Sequence, residues 1–254
     1  MNALARALRA EQLKLRGTLA LWMCLVAPAL VVGVYVLQIT FSNFPARLDP
    51  ADGPKAWQAF QQATTVLWAF LMLPLLVTLQ AALLAGLEHQ GQHWKHLLAL
   101  APPRHVHYLA KLLALLAMLA LSHLAMFALV PLGGLVLMVA KPGFGLAGAP
   151  PWAALAGSLA MVFGACALLA ALHTWIAIRF RSFAVATGVG MGATVMGFLI
   201  GQSARFGPWY PWSLPLQVLA EDATVGPRVL AYSLAGAVAV TLAGLAWFRR
   251  SEPA

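Results

Sequence analysis

The chain has 254 residues, of which 62% are hydrophobic and only 9% are charged. Because a soluble domain carries roughly 25% charged residues, this composition excludes an ordinary soluble protein and predicts an integral membrane protein. The net charge of +9 comes from basic residues at the ends of long uncharged stretches, which indicates membrane orientation rather than nucleic-acid binding.

The first 17 residues have the pattern of an amphipathic helix. Leu4, Leu8 and Leu15 fall on one helical face, arginines lie roughly opposite, and Glu11 interrupts the apolar stripe. This pattern predicts a helix that lies in the membrane interface against lipid. A signal peptide is disfavoured, because the apolar stretch that follows is too long and no cleavage site follows it.

Six apolar stretches predict an all-α integral membrane protein that forms a single transmembrane domain. The predicted spans cover residues 18–40, 63–87, 112–140, 152–178, 183–204 and 229–248. The third is longer than the roughly 20 residues needed to cross, so we expect it to tilt, to protrude or to bend near Pro131. Between the first two spans we expect a loop over residues 41–62, with Trp57 and Phe60 packed at the membrane interface.

Residues 88–111 form the most polar long segment between two apolar ones. Within it, four residues at i, i+3, i+4 and i+7 share one helical face: Trp94, Leu97, Leu98 and Ala101. Pro102 and Pro103 end this helix, since neither has a backbone N–H to donate. The pattern predicts a short amphipathic helix between spans two and three, which either lies in the lipid headgroups or docks into a groove on a partner.

Residues 205–228 combine aromatic residues with Pro208, Pro211 and Pro215, and their apolar part, residues 214–220, is too short to cross a membrane. We expect a re-entrant or interfacial segment before span six, because irregular backbone at membrane depth must be covered by protein.

The distribution of charge predicts the orientation. The N-terminus, residues 88–111, the turn at residues 179–181 and the C-terminus together hold eleven Lys/Arg and three acidic residues, whereas the other side holds five and four. Since an excess of Lys and Arg marks the cytoplasmic side, both termini and the helix at residues 94–101 are predicted to be cytoplasmic.

The sequence contains none of the common catalytic motifs. It lacks a G-x-x-x-x-G-K-[ST] phosphate loop, so the chain is not expected to hydrolyse ATP alone, and we expect no catalytic, cofactor or metal site in it. His89, His93 and His96 could share a helical face and bind a metal, but amphipathic packing at the membrane surface is the favoured interpretation.

The spans carry no Asp or Glu at their centres, and ion-coupled carriers need ionisable groups at depth. An external energy source is therefore the simpler hypothesis. Gln80, His123 and His173 are the candidates for lining a pathway; the alternative is that they form hydrogen bonds between helices.

Four stretches resemble the permease subunits of ATP-binding-cassette type-2 exporters, and among them the lantibiotic (bacteriocin) immunity branch. Residues 8–16 resemble the family's connecting helix, and Glu88 with residues 94–104 resembles its coupling segment, in which a glutamate closes span two and a helix docks on the ATPase. Residues 108–111 resemble the start of span three, and residues 211–215 resemble the extracellular element before the last span.

The resemblance implies a multi-pass permease in the bacterial cytoplasmic (inner) membrane. It implies a second permease copy or a sister permease, and two separate ATPase subunits that bind ATP and Mg²⁺. ATPase closure would move the 94–101 helix and, with it, spans one, two and five. The residues that dock on the ATPase would be Glu88, Trp94, Lys95, Leu97, Leu98, Ala101 and Arg104.

The cargo follows only from the branch. The immunity branch clears peptide antibiotics from the membrane and so gives resistance to them, whereas other branches move lipids, polysaccharides, haem-pathway cargo or drugs. Two alternatives from other classes are a self-sufficient carrier or channel that uses His123 and His173, and a membrane-embedded enzyme. The enzyme is disfavoured because no constellation of acid, nucleophile or metal ligands supports one.

Overall fold

The structure is a computed structural model that describes residues 3–42, 53–90 and 103–250. The regular structure in these residues is helical. Its helices are α1 (Ala3–Leu15), α2 (Leu19–Phe41), α3 (Gly53–Leu67), α4 (Leu73–Gln90), α5 (Arg104–Ala140), α6 (Trp152–Ala165), α7 (Ala167–Arg179), α8 (Phe183–Ile200), α9 (Leu214–Gln217) and α10 (Val225–Arg250). A π-helical turn, Trp68–Met72, joins α3 to α4 without a break.

Six helical segments are long and apolar enough to cross a membrane, which confirms the six predicted spans. They cover Leu19–Phe41, Gly53–Gly86, Arg104–Ala140, Trp152–Arg179, Phe183–Ile200 and Val225–Arg250. The chain is therefore a multi-pass membrane protein. At 1.5 Å per residue, the 37 residues of α5 extend about 55 Å, so this helix protrudes well beyond a hydrocarbon core of about 30 Å.

The second span differs most from its prediction, because its helix begins at Gly53 rather than at residue 63. Trp57 and Phe60 belong to α3 and are each only 1% exposed, so both side chains pack inside the bundle. Their expected depth at the membrane interface stays a prediction. The charged residues in this stretch led to the prediction of a loop. The structure instead has a helix with one buried face, formed by Trp57, Phe60, Gln61 and Thr64.

Two consecutive glycines in α5 make room for this face. A Cβ on Gly134 would lie 2.2 Å from the Trp57 ring, and one on Gly133 would lie 2.5 Å from Val32 of α2. The helix continues through Pro131 to Ala140. These glycines therefore serve close packing between α2, α3 and α5.

The fourth span is divided at Cys166 into α6 and α7. The Ser233 hydroxyl of α10 reaches into the break: it donates to the Ala165 carbonyl at 2.8 Å and accepts from the Leu168 N–H at 3.2 Å. A side chain inserted into the backbone ladder is a common cause of a helix break. This contact also fixes the last span against the fourth.

The segment before the last span contains only short helical pieces, Gly207–Trp209 and Leu214–Gln217. Its expected re-entrant or interfacial position stays a prediction. Its side chains satisfy nearby backbone groups. Ser213 Oγ donates to the Gly207 carbonyl at 2.6 Å, and Gln217 Nε2 donates to the Gly201 carbonyl at 2.7 Å. The second bond lies just beyond α8, which ends at Ile200 rather than at residue 204.

The end of α4, the start of α5 and the end of α10 lie at the same end of the bundle. The distribution of Lys and Arg predicted that these helix ends share one side of the membrane. His89, near the end of α4, contacts the Ala177 carbonyl of α7 at 3.0 Å. Tyr108 of α5 packs over Gly244 and Phe248 near the end of α10. The abundance of Lys and Arg predicts that this end faces the cytoplasm.

We predict that Gly134→Ala destabilises the protein by about 1–3 kcal/mol, because its methyl group overlaps the buried Trp57 ring. Thermal unfolding of the detergent-purified protein measures this. Gly157→Ala in α6 is the matched control: nothing lies within 4 Å of its added Cβ, so its stability should stay equal or rise slightly. Equal unfolding temperatures for the two variants would contradict the packing described.

Candidate functional site

Four charged side chains form a closed ring where α1, α4 and α5 meet. Lys14 Nζ lies 3.0 Å from Glu11 Oε1 and 2.8 Å from Glu88 Oε1. Lys111 Nζ lies 3.3 Å from Glu11 Oε2 and 2.6 Å from Glu88 Oε2. Each carboxylate therefore contacts both ammonium groups, and the formal charges of the ring cancel. We call this group the ion ring.

The ion ring is largely buried. Glu88 is 2% exposed, Lys111 is 3% exposed and Glu11 is 6% exposed. Lys111 also donates to the Leu84 carbonyl at 2.9 Å. In buried pairs, removing one partner leaves an uncompensated charge and costs about 3–5 kcal/mol. The ring therefore resists separation of α1, α4 and α5, although it need not stabilise the fold more than apolar residues would.

The electrostatics of the ring favour its charged form. Burial alone would raise the pKa of Glu88, but Lys111 and then Lys14 outweigh burial and hold that pKa below its ordinary value. Burial would likewise lower the pKa of Lys14, yet its bonds and charge contacts to Glu88 and Glu11 raise it. Both residues are therefore charged at neutral pH.

The ring lies at the two ends of the segment predicted to dock on an ATPase. Glu88 is in the last turn of α4, and Lys111 follows in the second turn of α5. Between these helices lie Trp94, Lys95, Leu97, Leu98 and Ala101, which are outside the described residues. Arg104 begins α5. Glu88 itself points into the bundle, so its carboxylate is engaged by lysines of this chain.

A neighbouring contact ties α4 to α7 at the same level. Burial lowers the pKa of His89 despite its bond to the Ala177 carbonyl, so the His89 imidazole is uncharged at neutral pH. Since a carbonyl can only accept, His89 Nε2–H donates this bond at 3.0 Å. In the described part of the chain, no three His, Cys, Asp or Glu side chains could hold a metal ion. His93 and His96 lie outside that part.

The polar side chains predicted at depth make bonds between helices. Trp68 Nε1 donates to His123 Nε2 at 3.4 Å, and His123 Nδ1 contacts the Leu119 carbonyl at 2.8 Å. An indole N–H can only donate, so the His123 proton lies on Nδ1. His123 also lines an apolar cavity of about 400 Å³ between α5 and α6.

His173 and Gln80 have comparable positions in the core. Trp212 Nε1 donates to His173 Nε2 at 3.2 Å, which joins α7 to the segment before the last span. Gln80 Nε2 donates to the Ala20 carbonyl at 3.3 Å and so joins α4 to α2. These contacts favour the interhelical interpretation; a role in lining a pathway stays a prediction.

Sequence reasoning missed Glu11, Lys14 and Lys111 as members of a site. Their distances along the chain hid the pairing, since Glu11 and Lys111 are 100 residues apart and Lys14 and Glu88 are 74 apart. A signal was present nonetheless. Glu11 lies on the apolar stripe of α1, and a carboxylate that becomes buried requires a cationic partner.

We predict that acid destabilises the protein through Glu88. Because the folded-state pKa of Glu88 is depressed, its contribution is full above the ordinary glutamate pKa of about 4.3 and is lost as pH falls through the lower folded value. The raised pKa of Lys14 places the opposite loss above about pH 10.

Thermal unfolding in detergent between about pH 3 and 8 tests this expectation. Glu88→Gln should flatten the acid decline. The exposed Glu221 provides the matched control, Glu221→Gln, which should keep the wild-type profile. An acid decline in Glu88→Gln as steep as in the wild type would contradict the role given to this carboxylate.

The chain matches one protein-family model, described as "ABC-2 family transporter protein", over residues 7–198. A comparison with curated proteins gives no significant match. The family match covers more than half of the chain, including the whole of the described ion ring, and it agrees with the six apolar spanning helices. The chain therefore belongs to the ABC-2 family of transporter membrane proteins, and it is a permease component of an ABC transporter.

Proposed function

We propose that this chain is the permease of an ATP-driven exporter of hydrophobic or amphipathic compounds, such as antibiotic peptides, and that the ion ring couples it to its ATPases. Membership in the ABC-2 family implies ABC ATPase subunits as partners. We expect two ATPases and a second permease, identical or sister, in a bacterial inner membrane. The observation that carries the coupling role is the ring itself, which fastens α4 and α5, the helices before and after residues 91–102, to α1.

The ring supports a simple mechanical route. When the ATPases close on ATP, the helix predicted at residues 94–101 moves with the surface on which it docks. Its two flanking helices hold Glu88 and Lys111, which are 2.6 Å apart and both bonded to α1. Because separating these charges inside the bundle is costly, α1, α4 and α5 move as one unit. Glu88 supports docking by fixing the end of α4 rather than by touching the ATPase.

The peptide cargo rests on the resemblance of residues 8–16, Glu88 with residues 94–104, residues 108–111 and residues 211–215 to the immunity branch. The bundle is compatible with such cargo, since several of its membrane-facing surfaces are exposed and apolar, including Leu124, Val139 and Val195. Export of lipid or another amphipathic compound is the alternative within the same family. An ATP-independent carrier that uses His123 and His173 is disfavoured, because both imidazoles accept bonds from indole N–H groups.

We predict that Trp94→Ala combined with Leu97→Ala uncouples ATP turnover from efflux. These side chains form the apolar face of the predicted docking helix, and truncating large apolar anchors removes most of the affinity of such a contact. The measurement has two parts: co-purification of the ABC ATPase with the permease in mild detergent, and protection of cells against lantibiotics when both subunits are expressed. Both should fall at least about tenfold.

Trp209→Ala is the matched control, because Trp209 is exposed in the segment before the last span, away from the ion ring. It should keep the ATPase bound. Failure of the wild-type permease to retain any ABC ATPase would contradict the coupling proposal. If the ATPase is retained but no peptide is cleared, the transporter assignment stands and the peptide cargo is wrong.

A further inference from the structure

A groove runs between α1, the start of α2 and the first half of α5, next to the ion ring. It encloses about 440 Å³. From α1 and the following turn it is lined by Leu8, Gln12, Leu15 and Arg16, which fall at i, i+4, i+7 and i+8 on one helical face. From α5 it is lined by Leu113, Ala114, Ala117, Met118 and Leu121, and α2 adds Leu21.

The groove is polar at one end and apolar along its length. Gln12 and Arg16 supply its polar groups, whereas the lining from α2 and α5 is apolar throughout. Lys111, two residues before Leu113, is bonded to Glu11 of α1. The groove therefore starts at the level of α1 and follows α5 inward to Leu121, roughly 12 Å at 1.5 Å per residue.

The polar end carries an uncompensated positive charge. Arg16 is exposed, and its guanidinium forms no hydrogen bond or ion pair with any residue in the described part of the chain. The nearest acid along the chain, Glu11, is already neutralised by Lys14 and Lys111 in the ion ring. The end near α1 thus offers five N–H donors and a full charge to an anion.

We infer that this groove binds an anionic phospholipid, with the headgroup phosphate on Arg16 and Gln12 and one acyl chain along Ala117 and Leu121. Charge complementarity selects the headgroup, and the long apolar lining selects the acyl chain. The rim of the groove belongs to the surface that faces hydrocarbon, since Leu21 is 37% exposed and Leu121 is 46% exposed on membrane-spanning helices. Lipid reaches this surface directly from the bilayer.

A second copy of the chain is a poorer occupant. In a two-fold symmetric contact, the same patch of each copy faces the other. This patch lies beside α1, whose exposed Arg6, Arg9 and Arg16 would then approach their own copies. A bound anionic lipid instead neutralises Arg16 and holds α1 against α5.

Native mass spectrometry tests the inference. The full-length permease is released from nanodiscs that contain equal amounts of phosphatidylglycerol and phosphatidylethanolamine, and the ratio of the two retained lipids is measured. The wild type should be enriched in phosphatidylglycerol. Arg16→Gln should lower that enrichment about fivefold, the effect of one basic residue at an anionic surface.

Arg9→Gln is the matched control, because Arg9 is exposed on the same helix but does not line the groove; it should retain the wild-type ratio. Ala117→Phe fills the apolar part and should reduce retention of both lipids while leaving Arg16 in place. The inference is overturned if Arg16→Gln and Arg9→Gln behave alike. The inference is equally overturned if Ala117→Phe leaves lipid retention unchanged. Dissociation of a dimer of the chain by Ala117→Phe, with lipid retention unchanged, would show that the groove binds a second copy instead.

Discussion

The fold depends on how four charges are placed where water is largely absent. Two carboxylates and two ammonium groups compensate one another within 3.3 Å, so three of them tolerate burial that a single charge would not. The hydrophobic effect alone would not hold these helices together within the membrane, because lipid tails are as apolar as the helix surfaces. The ion ring sets the register of α1, α4 and α5, and it does so beside the segment that we propose to dock on the ATPase.

A second set of contacts complements the ring at greater depth. Trp68 with His123, Trp212 with His173 and Gln80 with Ala20 each join two elements by a hydrogen bond. Ser233 adds another between α10 and the break at Cys166. The neutral bonds hold the membrane part of the bundle together, whereas the ion pairs of the ion ring join α1, α4 and α5 at one end. This division suits a permease that is driven from one end.

Hydropathy was sufficient to predict the six spans, because burying backbone polar groups in lipid requires about 20 apolar residues in a helix and little else competes with that signal. The start of α3 could not be predicted, since Lys55 gives residues 53–62 the composition of a loop. The helix is stabilised by packing of Trp57 against Gly134 of α5, which the local sequence does not reveal. The resemblance pointed to Glu88 but not to its partners, because their contacts depend on the packing of distant helices. Glu11, Lys14 and Lys111 become a site only when three helices meet, which is a property of the tertiary structure.

The central claim is that Glu88 and Lys111 are energetically coupled inside the bundle. A double-mutant cycle measures this directly: the free energy of unfolding of the wild type, Glu88→Gln, Lys111→Met and the double variant is determined in the same detergent. The account predicts a coupling of at least about 1 kcal/mol, with the double variant less destabilised than the sum of the single changes. Effects that add to within about 0.3 kcal/mol would show that the two side chains act independently, and would contradict it.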